Sequence, residues 1–214
     1  VKELASITQP VQTINPADTN YQDLLFLKEK LKDVDMVMLG VQQHGDGSTF
    51  LAKSRLVKFL HKELDFDVLL FESNIYDCFR FWDDVSGDKK NKSADFGQAL
   101  FGHWANANET KDLQKYMVRN VESSNPLSLA GFDLQFSGNM SDSKRIQRME
   151  TYLDKKNIQF RKGYPSFSKI LENYHMNTYS YPSKQIPKTE KQTIFNEITR
   201  LITILAKDQQ TNED

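Results

Sequence analysis

The sequence has little of the features that mark several large classes of protein. Cys78 is the only cysteine among 214 residues, so neither a disulfide within the chain nor a cysteine-based metal cluster can form. No apolar run approaches the roughly 20 residues that a transmembrane helix needs. The net charge of -1 gives no field that would attract nucleic acid or an anionic membrane. Neither is therefore expected as a partner.

The scarcity of cysteine also bears on location. Proteins of reducing compartments rarely depend on disulfides, so a cytoplasmic location is expected. The sequence begins with Val1 and not with methionine. A processed and exported form, from which a signal peptide has been removed, is therefore the alternative.

Several catalytic motifs are missing from the sequence. There is no Gly-x-Ser-x-Gly segment, which argues against the serine nucleophile of the α/β-hydrolases. The zinc motif His-Glu-x-x-His, the phosphate-binding Walker loop and the dinucleotide-binding Gly-x-Gly-x-x-Gly are missing too. No cofactor is therefore expected.

The residues that are present predict an α/β fold. A content of 14 Phe, 8 Tyr and 2 Trp is typical of a chain with a packed core. Apolar runs at about 35–40, 66–71 and 126–133 are candidate strands separated by helical patterns, which predicts an α/β fold with a small, mainly parallel sheet. The first run shows no alternation, as in a parallel strand buried on both faces.

The pattern divides the chain into three segments. Residues 1–20 are predicted to be irregular, 21–140 to form the α/β core, and 141–214 to be a helical extension of the same domain. Ser48 is a candidate cap for the helix that ends near residue 64. Polar loops are predicted at 86–95 and 176–188, a packed loop at His103 and Trp104, and a frayed end at 211–214.

The candidate site lies where the first two predicted strands end. A polar loop containing His44 follows the first strand, and the second strand ends in Glu72. Ligands of open α/β sheets bind beyond the carboxyl ends of the strands, so the two side chains are expected to face one crevice. A histidine there can act as a general base, and a neighbouring carboxylate can stabilise its imidazolium.

Four further residues are candidates for contacting a substrate: Gln43, Asp46, Arg55 and Asp133. Structural roles are the alternatives for two of the acidic residues, because Glu72 could pair with Arg55 or cap the following helix and Asp133 could cap the turn after its strand. A metal-dependent hydrolase that uses His44, Glu72 and Asp133 as ligands is a further hypothesis, but a site without metal is the leading one because these residues lack a second histidine nearby in sequence.

These segments resemble a known family. Residues 39–45 (Leu-Gly-Val-Gln-Gln-His-Gly) resemble the erythromycin esterase signature Leu-Gly-Glu-x-Thr-His-Gly, and residues 66–73 resemble the family's second strand, which ends in an essential glutamate. Residues 130–135 resemble its Gly-Phe-Asp strand, and residues 101–104 its tryptophan-bearing loop. The resemblance spans about residues 34–140.

The resemblance implies a three-layer α/β/α fold. It also implies a metal-independent hydrolase in which a histidine activates water to open an ester or lactone. Carried over by position, His44 would be the general base and Glu72 its acidic partner. The implied partner is a small-molecule ester or lactone, although macrolides are not assumed because a family does not fix what its cleft accepts.

The chain departs from the family pattern in three ways. Val41 stands where the family has its first glutamate, and Gln43 stands where it has a threonine. The family's second, distant histidine has no evident counterpart in residues 141–214. The expectation is a piece of a longer protein or a shortened relative with weak or incomplete activity. A non-catalytic module that binds a small molecule in the same crevice is the alternative.

Overall fold

A computed structural model describes residues 8–41, 43–87, 94–135, 140–173 and 187–210. The chain divides into two compact units, Val1–Met140 and Ser141–Asp214. The described part of the predicted irregular segment, residues 8–20, contains no helix or strand. Most of the two predicted polar loops and all of residues 211–214 lie outside the described residues. Whether residues 141–214 extend the same domain stays a prediction.

The first unit alternates helices with two strands. Its helices are α1 (Phe26–Leu31), α2 (Gly47–Leu64), α3 (Ile75–Gly87), α4 (Gly102–Ala105) and α5 (Lys111–Asn120), and its strands are β1 (Val68–Asn74) and β2 (Ser128–Asp133). Short 3-10 turns occupy Gln22–Leu24, Phe96–Gln98 and Asn108–Thr110. The predicted packed loop at residues 102–104 is thus the short helix α4.

Helix α2 begins at Gly47, one residue before the predicted cap. Asp46 is the N-cap, and its carboxylate accepts a hydrogen bond from the backbone N–H of Thr49. The prediction that Ser48 caps this helix was wrong, because Ser48 already lies inside its first turn. An aspartate satisfies the free N–H groups of a first turn as well as a serine does.

Strands β1 and β2 form a parallel sheet. The register runs from Val68 opposite Ser128 to Phe71 opposite Gly131, and it shifts before Asn74 opposite Asp133. Helices α3, α4 and α5 lie between the two strands in sequence. The predicted α/β class with a small parallel sheet is confirmed.

Residues 35–40 were predicted to form a strand, but they do not form one. Residues 34–41 belong to no helix or strand, and their side chains alternate in burial. Val37 and Leu39 pack against core clusters, whereas Met36 and Met38 are 71% and 87% exposed. Apolar methionines at the outward positions concealed this alternation, so the prediction of burial on both faces was wrong.

The main core lies on one side of the sheet. Leu69, Phe71 and Leu129 contribute to it from the strands, together with buried side chains of the helices (Phe50, Val57, Cys78, Phe81, Trp82, Trp104, Leu113, Met117). The other side of the sheet is open, because Val68 and Leu70 are about half exposed. Phe132 is 59% exposed.

The second unit is helical in the part that the structure describes. Its helices are α6 (Met140–Lys155), α7 (Phe160–Gly163), α8 (Pro165–Asn173) and α9 (Lys188–Gln210). Leu153, Phe160, Tyr164 and Leu201 form its buried cluster. This confirms the predicted helical C-terminal third. None of the described helices in either unit has the length and apolar character needed to cross a membrane.

Candidate functional site

Three side chains from separate segments of the first unit meet at the end of β1. His44 lies in the turn before α2, Glu72 lies in β1, and His103 lies in α4. One nitrogen or carboxylate oxygen from each lies within 4.8 Å of the others. None of the three is buried. The expectation that His44 and Glu72 lie close together matches this geometry, whereas the presence of His103 was not anticipated.

The two imidazoles are stacked. Their ring centroids are 4.7 Å apart and their planes differ by 29°. The edge of His44 also faces the Trp104 ring, with the centroids 5.4 Å apart. Trp104 itself is buried in the main core. The rings of both histidines pack against it.

Helix α4 is fastened to the end of β1. The indole Nε1 of Trp104 donates a hydrogen bond to the backbone carbonyl of Glu72 at 3.1 Å. The backbone N–H of Phe101 donates to the Ser73 hydroxyl at 3.2 Å. These bonds hold the residues on either side of His103 against the strand that carries Glu72.

Thr110, which directly precedes α5, and Gln114 in α5 also hold α4 in place. The Thr110 hydroxyl donates to the carbonyl of Trp104 at 2.8 Å, and the Gln114 side-chain amide donates to the carbonyl of Ala105 at 3.1 Å. Thr110 and Gln114 are both buried. A helix as short as α4 depends on such contacts, because one turn has little stability of its own.

The loop that carries His44 is set by the start of α2. The backbone N–H of Asp46 donates to the carbonyl of Gln43 at 3.3 Å, which closes a turn around His44. Hydrogen bonds from the side chain and the backbone of Thr49 lower the pKa of the Asp46 carboxyl. Asp46 therefore positions the loop, and a contact of Gln43 or Asp46 with a substrate stays a prediction.

The charge state of His103 follows from its surroundings. Partial burial lowers the pKa of His103, the nearby His44 lowers it further, and Glu72 acts in the opposite direction. The net direction favours the neutral imidazole. A neutral imidazole has a free lone pair that can accept a proton or bind a metal ion.

Arg55 lies in the interior of the first unit, and its ion-pair partner is Asp23. Its two terminal nitrogens donate to the carboxylate of Asp23 at 2.9 and 2.7 Å, and they also donate to the carbonyls of Thr13 and Asn20. The side chains of Arg55 and Asp23 are each 2% exposed. This placement supports a structural role for Arg55, and its predicted role in substrate binding stays untested.

Asp133 caps the turn after β2. Its carboxylate accepts a hydrogen bond from the backbone N–H of Gln135 at 2.8 Å, as the structural alternative in the sequence predicted. Among the described residues, it is His103 and not Asp133 that completes the group with His44 and Glu72.

Val41 faces inward. It packs against the main core cluster, as Leu39 does. The resemblance places a glutamate at this position, but in this chain the side chain there is apolar and contacts the core.

His103 was missed because nothing in the sequence relates it to His44, 59 residues away. The available signal was the likeness of residues 101–104 to a tryptophan-bearing loop. That likeness draws attention to Trp104, whose hydrogen bond to β1 brings its neighbour to the site.

Comparisons with known proteins agree with this fold. A Bacillus subtilis (strain 168) protein named "Putative hydrolase YbfO" is 33% identical over 129 residues, which is 60% of this chain and 28% of that protein. A crystal structure of a Bacillus cereus protein has a TM-score of 0.75 at 22% identity and covers 98% of this chain and 49% of that one.

A second crystal structure, of a protein named a succinoglycan biosynthesis protein, has a TM-score of 0.74 at 21% identity. It covers 97% of this chain and 51% of that one. At such low identity the two structures show a shared fold only. The chain thus spans about half the length of the solved structures and 28% of the Bacillus subtilis relative.

The sequence profile of one family, erythromycin esterase, matches residues 61–214. The match includes Glu72 and His103 and begins after His44. Because it covers well over half of the sequence, the chain belongs to the erythromycin esterase family.

Proposed function

We propose that this chain belongs to a hydrolase that cleaves an ester or lactone by means of a water molecule activated by His44. The observation that carries the proposal is the meeting of the His44 imidazole and the Glu72 carboxylate at the end of β1. Family membership supports the same reaction class.

In the proposed reaction, His44 transfers the proton and Glu72 stabilises the charge that forms on it. The neutral imidazole of His44 takes a proton from water while the water oxygen attacks the carbonyl carbon. The Glu72 carboxylate stabilises the imidazolium that results. When the tetrahedral intermediate collapses, the imidazolium returns the proton to the departing alkoxide. The products are a carboxylic acid and an alcohol, or one hydroxy acid from a lactone.

The site is suited to a small molecule. His44 and His103 are exposed and lie beside the half-buried Glu72, so a carbonyl group can reach them from solvent. The partly exposed ring of Phe101, which stacks on His103, favours a substrate with an apolar part. Ester and lactone substrates both have the required carbonyl.

A binding module that does not turn over its ligand is the second candidate. Val41 favours it, because its side chain packs against the core where the resemblance places a glutamate. Removing one member of a cooperating catalytic set costs orders of magnitude in rate.

The test is hydrolysis of a panel of activated esters and macrolide lactones by the parent chain, His44→Ala and Val41→Glu. We expect slow hydrolysis by the parent, loss of it in His44→Ala, and a faster rate in Val41→Glu if the added carboxylate turns outward. Parent activity that survives in His44→Ala would contradict the proposal. Ligand binding without hydrolysis in all three proteins would favour the binding module.

A further inference from the structure

We propose that His44, Glu72 and His103 form a binding site for a divalent zinc ion. The three residues are the one group of histidine, cysteine and acidic side chains in the described part of the chain whose ligand atoms cluster in this way. The site differs from the set suggested by the sequence, because His103 takes the place of Asp133.

The ligand types suit zinc. Zinc binds imidazole nitrogen and carboxylate oxygen, and catalytic zinc sites commonly have three protein ligands and one open position. Two histidines and one glutamate supply such a set. A site of hard oxygen ligands, which magnesium and calcium prefer, would not contain two imidazoles.

The spacing is close to that of a coordinated set. Bonds of about 2.1 Å in tetrahedral geometry place two ligand atoms roughly 3.4 Å apart, and the three atoms here lie within 4.8 Å of one another. Rotation of exposed side chains can supply the remaining approach, which is at most about 1.4 Å. His44 and His103 are exposed, so their rings are free to make that rotation.

The backbone around the site is held in place before any ion arrives. The Trp104 indole donates to the backbone carbonyl of Glu72. Because Trp104 directly follows His103, this bond holds two of the three ligand residues close together. The start of α2, capped by Asp46, fixes the loop that carries His44. Ligands on fixed elements lose less conformational entropy when they bind.

Zinc binding has a defined effect on the proposed reaction. An ion bound to His44 occupies the lone pair with which this residue would accept a proton from water. We therefore expect zinc to inhibit the hydrolysis described above. This effect rests on the proposed function, whereas the existence of the site rests on the geometry alone.

The direct test is a titration of the full chain with zinc chloride against a chromogenic chelator at pH 7.5. The parent should bind one zinc ion. His103→Ala and Glu72→Gln should each bind it at least ~10-fold more weakly, since even the loss of a residue that only supports a ligand costs that much. Asp133→Asn is the matched control and should keep the parent's affinity. Circular dichroism of each variant establishes that it is folded.

Three results would overturn the site: no stoichiometric binding by the parent, parent-like affinity in folded His103→Ala and Glu72→Gln, or a loss in Asp133→Asn as large as in His103→Ala. Zinc that accelerates ester hydrolysis by the parent would overturn the inhibitory effect and leave the site intact. Because binding is measured without a substrate, a chain that binds zinc and hydrolyses nothing refutes the proposed function alone.

Discussion

Arg55 and Asp23 form a buried ion pair in the first unit. Each side chain is 2% exposed, and the closest nitrogen and oxygen are 2.7 Å apart. Hydrogen bonding to Arg55 lowers the pKa of the Asp23 carboxyl to about 2. The pair fastens the segment before α1 to the middle of α2.

Asp23→Asn should lower the free energy of unfolding by about 3 kcal/mol at pH 7, because it leaves a buried guanidinium without its counter-ion. The measurement is urea unfolding followed by circular dichroism. Glu29→Gln is the control, since Glu29 is 81% exposed in its ion pair with Lys32, and it should cost less than about 0.5 kcal/mol. Equal effects of the two substitutions would contradict the account.

Acid should remove the same stabilisation. The pKa of Asp23 is lower in the folded chain than its ordinary value of 3.8, so the stabilisation is complete above that value and is lost as the pH falls toward about 2. The parent's free energy of unfolding should therefore decline between about pH 4 and pH 2 by roughly 2 kcal/mol more than that of Asp23→Asn. Parallel declines would show that the carboxylate carries no such stabilisation.

Two of the three clustered side chains were predictable from the sequence. His44 and Glu72 each follow an apolar run, and polar side chains collect at the ends of strands in α/β folds. The run before Glu72 forms β1, whereas the run before His44 forms no strand. His103 and the partner of Arg55 were not predictable in this way. Both depend on contacts between segments distant in sequence, which local patterns do not encode.

The close approach of β1 and β2 depends on a glycine. A Cβ atom at Gly131 would lie 2.4 Å from the carbonyl oxygen of Ser73 and 2.7 Å from that of Asn74. These are backbone atoms at the point where the register shifts, so they cannot turn aside as a side chain would. Glu72 lies next to this contact.

Gly131→Ala should lower the free energy of unfolding by about 1–3 kcal/mol, because the added methyl group forces the strands apart. Gly87→Ala is the control, since nothing lies within 4 Å of a Cβ atom there. Thermal melts of both variants compare the two sites. A Tm for Gly131→Ala equal to that of Gly87→Ala would contradict the described register.

The helices were more predictable than the strands. The helix predicted to end near residue 64 is α2, and the predicted helical character of residues 141–214 is found in α6, α8 and α9, because a long amphipathic pattern repeats its signal several times. The run at residues 35–40 is too short for that. Its exposed methionines gave it the composition of a buried strand.

At the scale of the whole first unit, one side of the sheet carries exposed apolar side chains. Val68, Leu70 and Phe132 expose about half or more of their side chains, and the solved relatives are about twice as long as this chain. The fold class was predictable because the order of strands and helices limits the possible layers. Which side of the sheet is exposed was not predictable, since apolar residues occupy both sides of β1.

Phe132→Ser should change the free energy of unfolding by less than about 0.5 kcal/mol, as substitutions at exposed positions do. Leu129→Ser, three positions earlier in β2, should cost at least about 2 kcal/mol because Leu129 is buried in the main core. Urea unfolding of both variants tests the assignment of the two faces. A large loss in Phe132→Ser would mean that this side of the sheet is covered in solution.

The measurement that tests the central claim most directly is a double-mutant cycle on kcat/KM for the best ester or lactone substrate, with His44→Ala, Glu72→Gln and the double variant. If the two side chains act as one unit, each single substitution lowers kcat/KM at least ~100-fold, and the double variant is about as slow as the slower single variant. Hydrolysis that is insensitive to His44→Ala, or losses that multiply in the double variant, would contradict a joint catalytic role for His44 and Glu72.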